Sequence, residues 1–251
     1  MATVTHSLRT MWVIFKQEFS LFFVSPIVYL IGAVWLFFAG GFFALTLTGL
    51  SQFGGEPTLI PVLSPLVFLM IFIAPALTMR LVSEEVRAGT HELLFTAPVR
   101  DWEIIVGKWL AAWGVFTVFM LLTGVYAVIM IMRGNPEISL ILTGYLGLWL
   151  MAGSALAIGV FSSALTQYQL VSFMVAMGVM LTLWLAELGS NLIAGSQFFT
   201  DFFSELSYIK HYQNLVQRAV IEPLDITYFV LLIVLFLFLA TQVLSTRRWS
   251  A

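Results

Sequence analysis

The chain contains no cysteine in 251 residues. Disulfides, thiolate metal sites and thiol nucleophiles are thereby excluded. Charge is scarce as well. Asp, Glu, Lys and Arg make up 10% of the residues, against about 25% in an ordinary soluble domain. Hydrophobic residues make up 61%, and the mean hydropathy is +1.01. A soluble globule of this length cannot hide so much apolar surface, so the solvent is lipid. The net charge of −2 leaves no basic excess for nucleic acid. His6, His91 and His211 fall in separate segments with no His-x-x-x-His spacing, so no metal site is expected. A phosphate loop is missing too. Gly107-Lys108 has Trp102 where the leading glycine belongs and Trp109 where the hydroxyl ligand of magnesium is needed. The chain is therefore expected to bind no cofactor and to be no ATPase itself. Gly153-Ser154 and Ser162-Ser163 lie in an apolar run, but no histidine shares such a run, which speaks against an intramembrane Ser–His hydrolase.

What the chain has is six long apolar runs, at about 27–47, 59–82, 109–132, 138–165, 170–188 and 226–244. At about 1.5 Å per residue each covers a hydrocarbon core of about 30 Å. The expected fold class is all-α, a polytopic membrane protein with six transmembrane helices in one domain over residues 1–251. Basic residues set its orientation. Arg9, Lys16, Arg80, Arg87, Arg100, Lys108, Arg247 and Arg248 fall on one side of the spans, and Arg133, Lys210 and Arg218 on the other. The richer side is expected to be cytosolic, and both termini with it. Ahead of the first run, Leu8, Met11, Trp12, Phe15, Phe19, Phe22 and Phe23 recur at helical spacing, with Arg9, Lys16, Gln17 and Ser20 on the other face. That pattern predicts an interfacial helix over 6–25, ended by Ser25-Pro26.

Charge is concentrated in one island between the second and third runs, which holds Arg80, Glu84, Glu85, Arg87, Glu92, Arg100, Asp101, Glu103 and Lys108. Arg80 to Arg87 reads as a continuation of the second span, ended by Gly89 in a left-handed cap. Thr90–Thr96 reads as a short helix offering Leu93, Leu94 and Phe95 from a polar frame, stopped by Ala97-Pro98. Asp101 reads as the N-cap of the next helix. Exposed apolar side chains in a polar frame fit a docking knob for a cytosolic partner. They equally fit a loop packed on the membrane face.

The stretch EEVRAGTHELLFTAPV (Glu84–Val99), followed by WEIIVGKW (Trp102–Trp109), resembles the transmembrane subunit of type-2 ABC exporters, in particular the short permeases of the gliding-motility type. MWVIFKQEFSLFFVSPIVY (Met11–Tyr29) and LSYIKHYQNLVQRAVIEPLDITYF (Leu206–Phe229) extend the likeness over most of the chain, with Ala219 where relatives often carry Gly. The resemblance implies a permease subunit that forms half of a translocation path in the cytoplasmic (inner) membrane. It implies a second permease, identical or related, and two copies of a separate ATP-binding subunit that carries ATP and magnesium. An auxiliary membrane protein with an extracytoplasmic domain is a further implied partner. It also implies a coupling helix that seats in the ATPase. The residues concerned are Glu84, Glu85, Arg87, Gly89, Thr90, Glu92, Leu93, Leu94, Phe95 and Pro98. The alternatives from other classes are a membrane scaffold or assembly factor, and an intramembrane enzyme.

Residues 195–225 are too polar to span and too aromatic for a free loop. They predict one or two short helices that lie on, or dip into, the outer leaflet. Glu187 and Asn191, near the end of the fifth span, are candidates for the path or an outer gate, or are simply solvated at the interface.

Overall fold

The computed structural model describes residues 2–53, 56–89, 99–134, 136–192, 197–217 and 222–250. Their regular structure is helical throughout. In chain order the helices are α1 (Ala2–Val24), α2 (Pro26–Phe53), α3 (Ile60–Thr78), α4 (Ser83–Ala88), α5 (Asp101–Arg133), α6 (Ile138–Leu165), α7 (Gln169–Leu192), α8 (Gln197–Leu206), α9 (Tyr208–Gln217) and α10 (Pro223–Ser250). Among the described residues six helices are long and apolar enough to cross a membrane: α2, α3 with α4, α5, α6, α7 and α10. Six crossings return the chain to its starting side. Accordingly, the Arg247 guanidinium near the C-terminus reaches the Leu165 carbonyl at 2.8 Å.

The centre of the bundle is α6. Its small residues, among them Gly147, Ala152, Gly153, Ser154, Ala155, Ala157 and Gly159, are all buried. Where lipid is the solvent, small residues let helices approach closely enough for dispersion to hold them together. A Cβ at Gly153 would stand 3.1 Å from Trp113, and one at Gly159 would stand 1.9 Å from the Thr78 hydroxyl. Indoles tie α5 to α6. Trp109 Nε1 donates to the Gly153 carbonyl at 2.8 Å, Trp113 Nε1 to the Trp149 carbonyl at 3.1 Å, and Trp149 Nε1 to the Thr117 hydroxyl at 3.0 Å. α3, α7 and α10 pack around the rest of α6.

Three boundaries differ from the sequence reading. The second span does not run straight through Arg80. Pro75 lacks the N–H that would hold the Ile71 carbonyl, α3 stops at Thr78, and helix resumes only at Ser83. The third span begins at Asp101, eight residues before Trp109, because the Lys108 charge is neutralised inside the fold. Asp101 is also not the N-cap. That position is Arg100, whose backbone N–H donates to Glu103 Oε2 at 3.2 Å. The break at Ser25 falls where Pro26 opens α2, a position that needs no N–H donor. The helix before it packs against α5. Ile14, Phe15 and Phe19 lie over Gly107 and Gly114, while Leu8, Trp12 and Val13 remain exposed on its other side.

Candidate functional site

Two polar constructions stand out in this apolar bundle, one at each end. The first surrounds Lys108, which is 2% exposed. Its ammonium pairs with Glu85 Oε1 at 2.8 Å and with Glu18 Oε1. Glu18 is the single acidic residue of α1, Glu85 belongs to α4, and Lys108 to the second turn of α5. A buried ammonium with no counter-charge would lose its proton or leave the fold. Two carboxylates supply the charge and most of the hydrogen bonds it needs. Beside the triad, Arg80 Nη1 donates to the Ser25 hydroxyl at 2.8 Å, and the guanidinium lies 5.8 Å from the centre of the Phe22 ring. Ser7 on α1 donates to Glu103 on α5. The result is a cleft of about 440 Å³ lined by Glu18, Phe22, Ser25, Arg80, Glu84, Glu85 and Lys108. It sits where the island joins the spans.

The break in the second span is closed from α6. Ser163 Oγ accepts from the backbone N–H groups of Val82 at 3.0 Å and Ser83 at 3.1 Å, and donates to the Met79 carbonyl at 3.1 Å. One hydroxyl thus satisfies groups that α3 and α4 leave open, which a helix break at membrane depth requires.

The second construction is a helical hairpin. α8 folds back along α7, so that a Cβ at Gly189 would stand 3.3 Å from the Phe203 ring. α9 then runs beside α6, with Tyr212 and Leu215 over Gly147. At the turn between them, the Tyr208 hydroxyl donates to the Met151 carbonyl at 2.9 Å and meets Ser154. Met151 and Ser154 are at the midpoint of α6, so the tip dips to the middle of the bundle. The described part of residues 195–225 thus forms two short helices, within the one or two expected. The carbonyls at the end of α8 have no helical partner. His211 Nε2 meets the Glu205 carbonyl at 3.0 Å, and the Tyr228 hydroxyl donates to the Leu206 carbonyl at 2.9 Å. The other imidazole nitrogen, Nδ1, lies 2.6 Å from Asp225 Oδ1, and the ring stacks on Tyr228 at 3.9 Å. Both imidazole nitrogens thus face oxygen atoms, one of α8 and one of α10. Both residues are buried, at 1% and 0% exposed.

The island residues fare differently from one another. Glu85 turns into the fold as part of the triad, Glu84 is exposed at the cleft, and Arg87 is exposed at the end of α4. Gly89 has φ of 70° and closes α4 in the left-handed region. Thr90, Glu92, Leu93, Leu94, Phe95 and Pro98 lie outside the described residues. Glu187 is half-buried near the end of α7, and Asn191 is in the same helix, with its side chain outside the described set. The reading from sequence missed Glu18, Ser163 and the His211–Asp225 pair. A signal existed for the first: a lone carboxylate in an apolar helix and a lone lysine at a span entrance each demand a partner.

No curated protein matches the chain by sequence. The family model described as ABC-2 family transporter protein matches residues 12–250. That match runs from the helix bearing Glu18, through the triad and the hairpin, to the last turn of α10. It joins the six-span bundle in making this a multi-pass permease component of an ABC transporter, a kind that works with an ATP-binding subunit. The chain belongs to the ABC-2 transporter family.

Proposed function

We propose that the chain is the permease subunit of an ABC exporter of the cytoplasmic membrane, forming half of a translocation path with a second permease, identical or related. Two copies of a separate ATPase, which bind ATP and magnesium, dock on the island at 84–98. Both termini and the Lys108 end are cytosolic, and the hairpin end is outside. An auxiliary membrane protein with an extracytoplasmic domain completes the assembly. The observation that supports this reading is the triad. It clamps α1, α4 and α5 together at the root of the island, so a push on the segment after Glu85 reaches two helices besides its own. Differential contact with two ATPase states would then shift the spans between two arrangements.

The test is the double variant Leu94→Ala with Phe95→Ala. Apolar anchors at the centre of an interface cost about 2 kcal/mol or more when truncated. The ATPase, and transport with it, should therefore be lost on purification while stability in detergent stays near wild type. Arg100→Ala should change little. Normal ATPase retention by a double variant that unfolds in detergent would make the knob membrane packing, and retention with unchanged stability and transport would move the coupling role to another cytosolic segment.

A further inference from the structure

The back of the hairpin tip is buried and pinned by hydrogen bonds, and its front is ionic. Glu205 and Lys210 flank the turn at Ser207, within about one helical turn of it on either side. Lys210 Nζ lies 2.6 Å from Glu205 Oε1, and the two side chains are 35% and 59% exposed. The Lys210 ammonium also reaches the Ser204 hydroxyl at 3.2 Å. Behind them, Tyr208, His211 and Tyr228 pin the same turn to α6 and α10 through buried hydrogen bonds. The tip is thus held at the depth of Met151 and Ser154, half-way along a helix that runs from Ile138 to Leu165.

An exposed ion pair at that depth cannot face hydrocarbon. Charges inside a membrane are strongly disfavoured unless they face protein or a water-filled cavity, and non-helical backbone at that depth is tolerated under the same condition. The exposed surface of α10 at the same level looks different. Ile233 packs against Gly153, and its neighbour Val234 is exposed and wholly apolar.

From this contrast we infer that the tip of the α8–α9 hairpin faces a water-accessible path, and that Glu205 and Lys210 line it as a charged constriction for cargo bearing polar or ionic groups. The inference rests on the permease reading. Its test does not use transport, so the two can fail separately.

The natural absence of cysteine supplies the background for it. Single variants Glu205→Cys, Lys210→Cys and Val234→Cys are made in the full chain, in its native membrane. Each is treated with membrane-impermeant methanethiosulfonates of either charge, in intact cells and in inverted vesicles. Glu205→Cys and Lys210→Cys should react from at least one side, and Val234→Cys from neither. Charge preference should invert between the two reactive sites. Glu205→Cys leaves Lys210 unpaired and should favour the anionic reagent by roughly fivefold, and Lys210→Cys should favour the cationic one similarly, as a single nearby charge in water gives. A second copy packed dry against the tip would make all three sites equally unreactive, and that result overturns the inference. Equal reactivity of all three sites would overturn it as well. The tip variants remove one exposed and one half-buried side chain, and Lys210→Arg, which keeps the pair, should leave expression and Val234→Cys labelling unchanged as a check on the fold.

Discussion

The two ends of the bundle solve one problem by different chemistry. Each must hold polar groups away from water. At the Lys108 end the groups are full charges from three separate helices, Glu18, Glu85 and Lys108, and they are satisfied by one another. At the hairpin end the groups are mainly backbone carbonyls freed by a turn, met by His211 and Tyr228, while Tyr208 anchors the turn to the Met151 carbonyl of α6. The first arrangement ties helices distant in sequence into one body. The second fixes the shape of one short segment. Losing a member of the first strands a charge, whereas losing a member of the second strands mostly a dipole. The cost should rank accordingly.

Lys108→Met is the sharpest break. It leaves Glu18 and Glu85 side by side without a counter-charge, and breaking a buried pair in this way costs about 3–5 kcal/mol. Thermal unfolding in detergent should show a large loss. Adding Glu18→Gln and Glu85→Gln should return much of it, because the triad then holds no uncompensated charge. Failure of the triple variant to recover would show that the triad's geometry, rather than its charge balance, holds α1 to α5.

At the other end Asp225→Ala leaves the buried His211 Nδ1 without its acceptor. About 2–3 kcal/mol is expected, within the range for an unpaired buried polar group. The loss should be local. Proteolysis around the hairpin should accelerate while cysteines placed near Lys108 keep their protection. Unfolding that spreads to both ends at once would erase the distinction between the two regions.

Ser163→Ala tests the mend between them. Val82 and Ser83 would lose the acceptor for their N–H groups, while the Ser83 hydroxyl would still donate to the Met79 carbonyl. A loss of about 1–2 kcal/mol follows, detectable as a shift in detergent unfolding. The smallest effect is expected at Glu84, which lines the same cleft but is exposed. Glu84→Gln should stay within about 0.5 kcal/mol of wild type. A larger change would place Glu84 in the triad's network.

The sequence by itself determined the class. Hydrophobic runs long enough for a bilayer, interrupted by one charged island, leave few folds other than a six-helix bundle, because each run must satisfy its backbone internally in lipid. The break at Ser25-Pro26 and the cap at Gly89 were also legible, since Pro and Gly constrain the backbone locally whatever surrounds them. The tertiary structure alone decided which charges meet. Glu18 and Lys108 are far apart along the chain, and their pairing depends on α1 lying against α5 rather than apart from it. The start of α5 at Asp101 depends on that pairing in turn, for a lysine enters an apolar helix only when its charge is answered. The stop at Thr78 and its repair by Ser163 needed α6 in place, with Gly159 small enough to admit Thr78. The depth of the hairpin was likewise undecidable from periodicity, which gives a helix its apolar face but not the surface that face will find. That surface is α6, and α9 comes close to it because Gly147 leaves room for Tyr212 and Leu215.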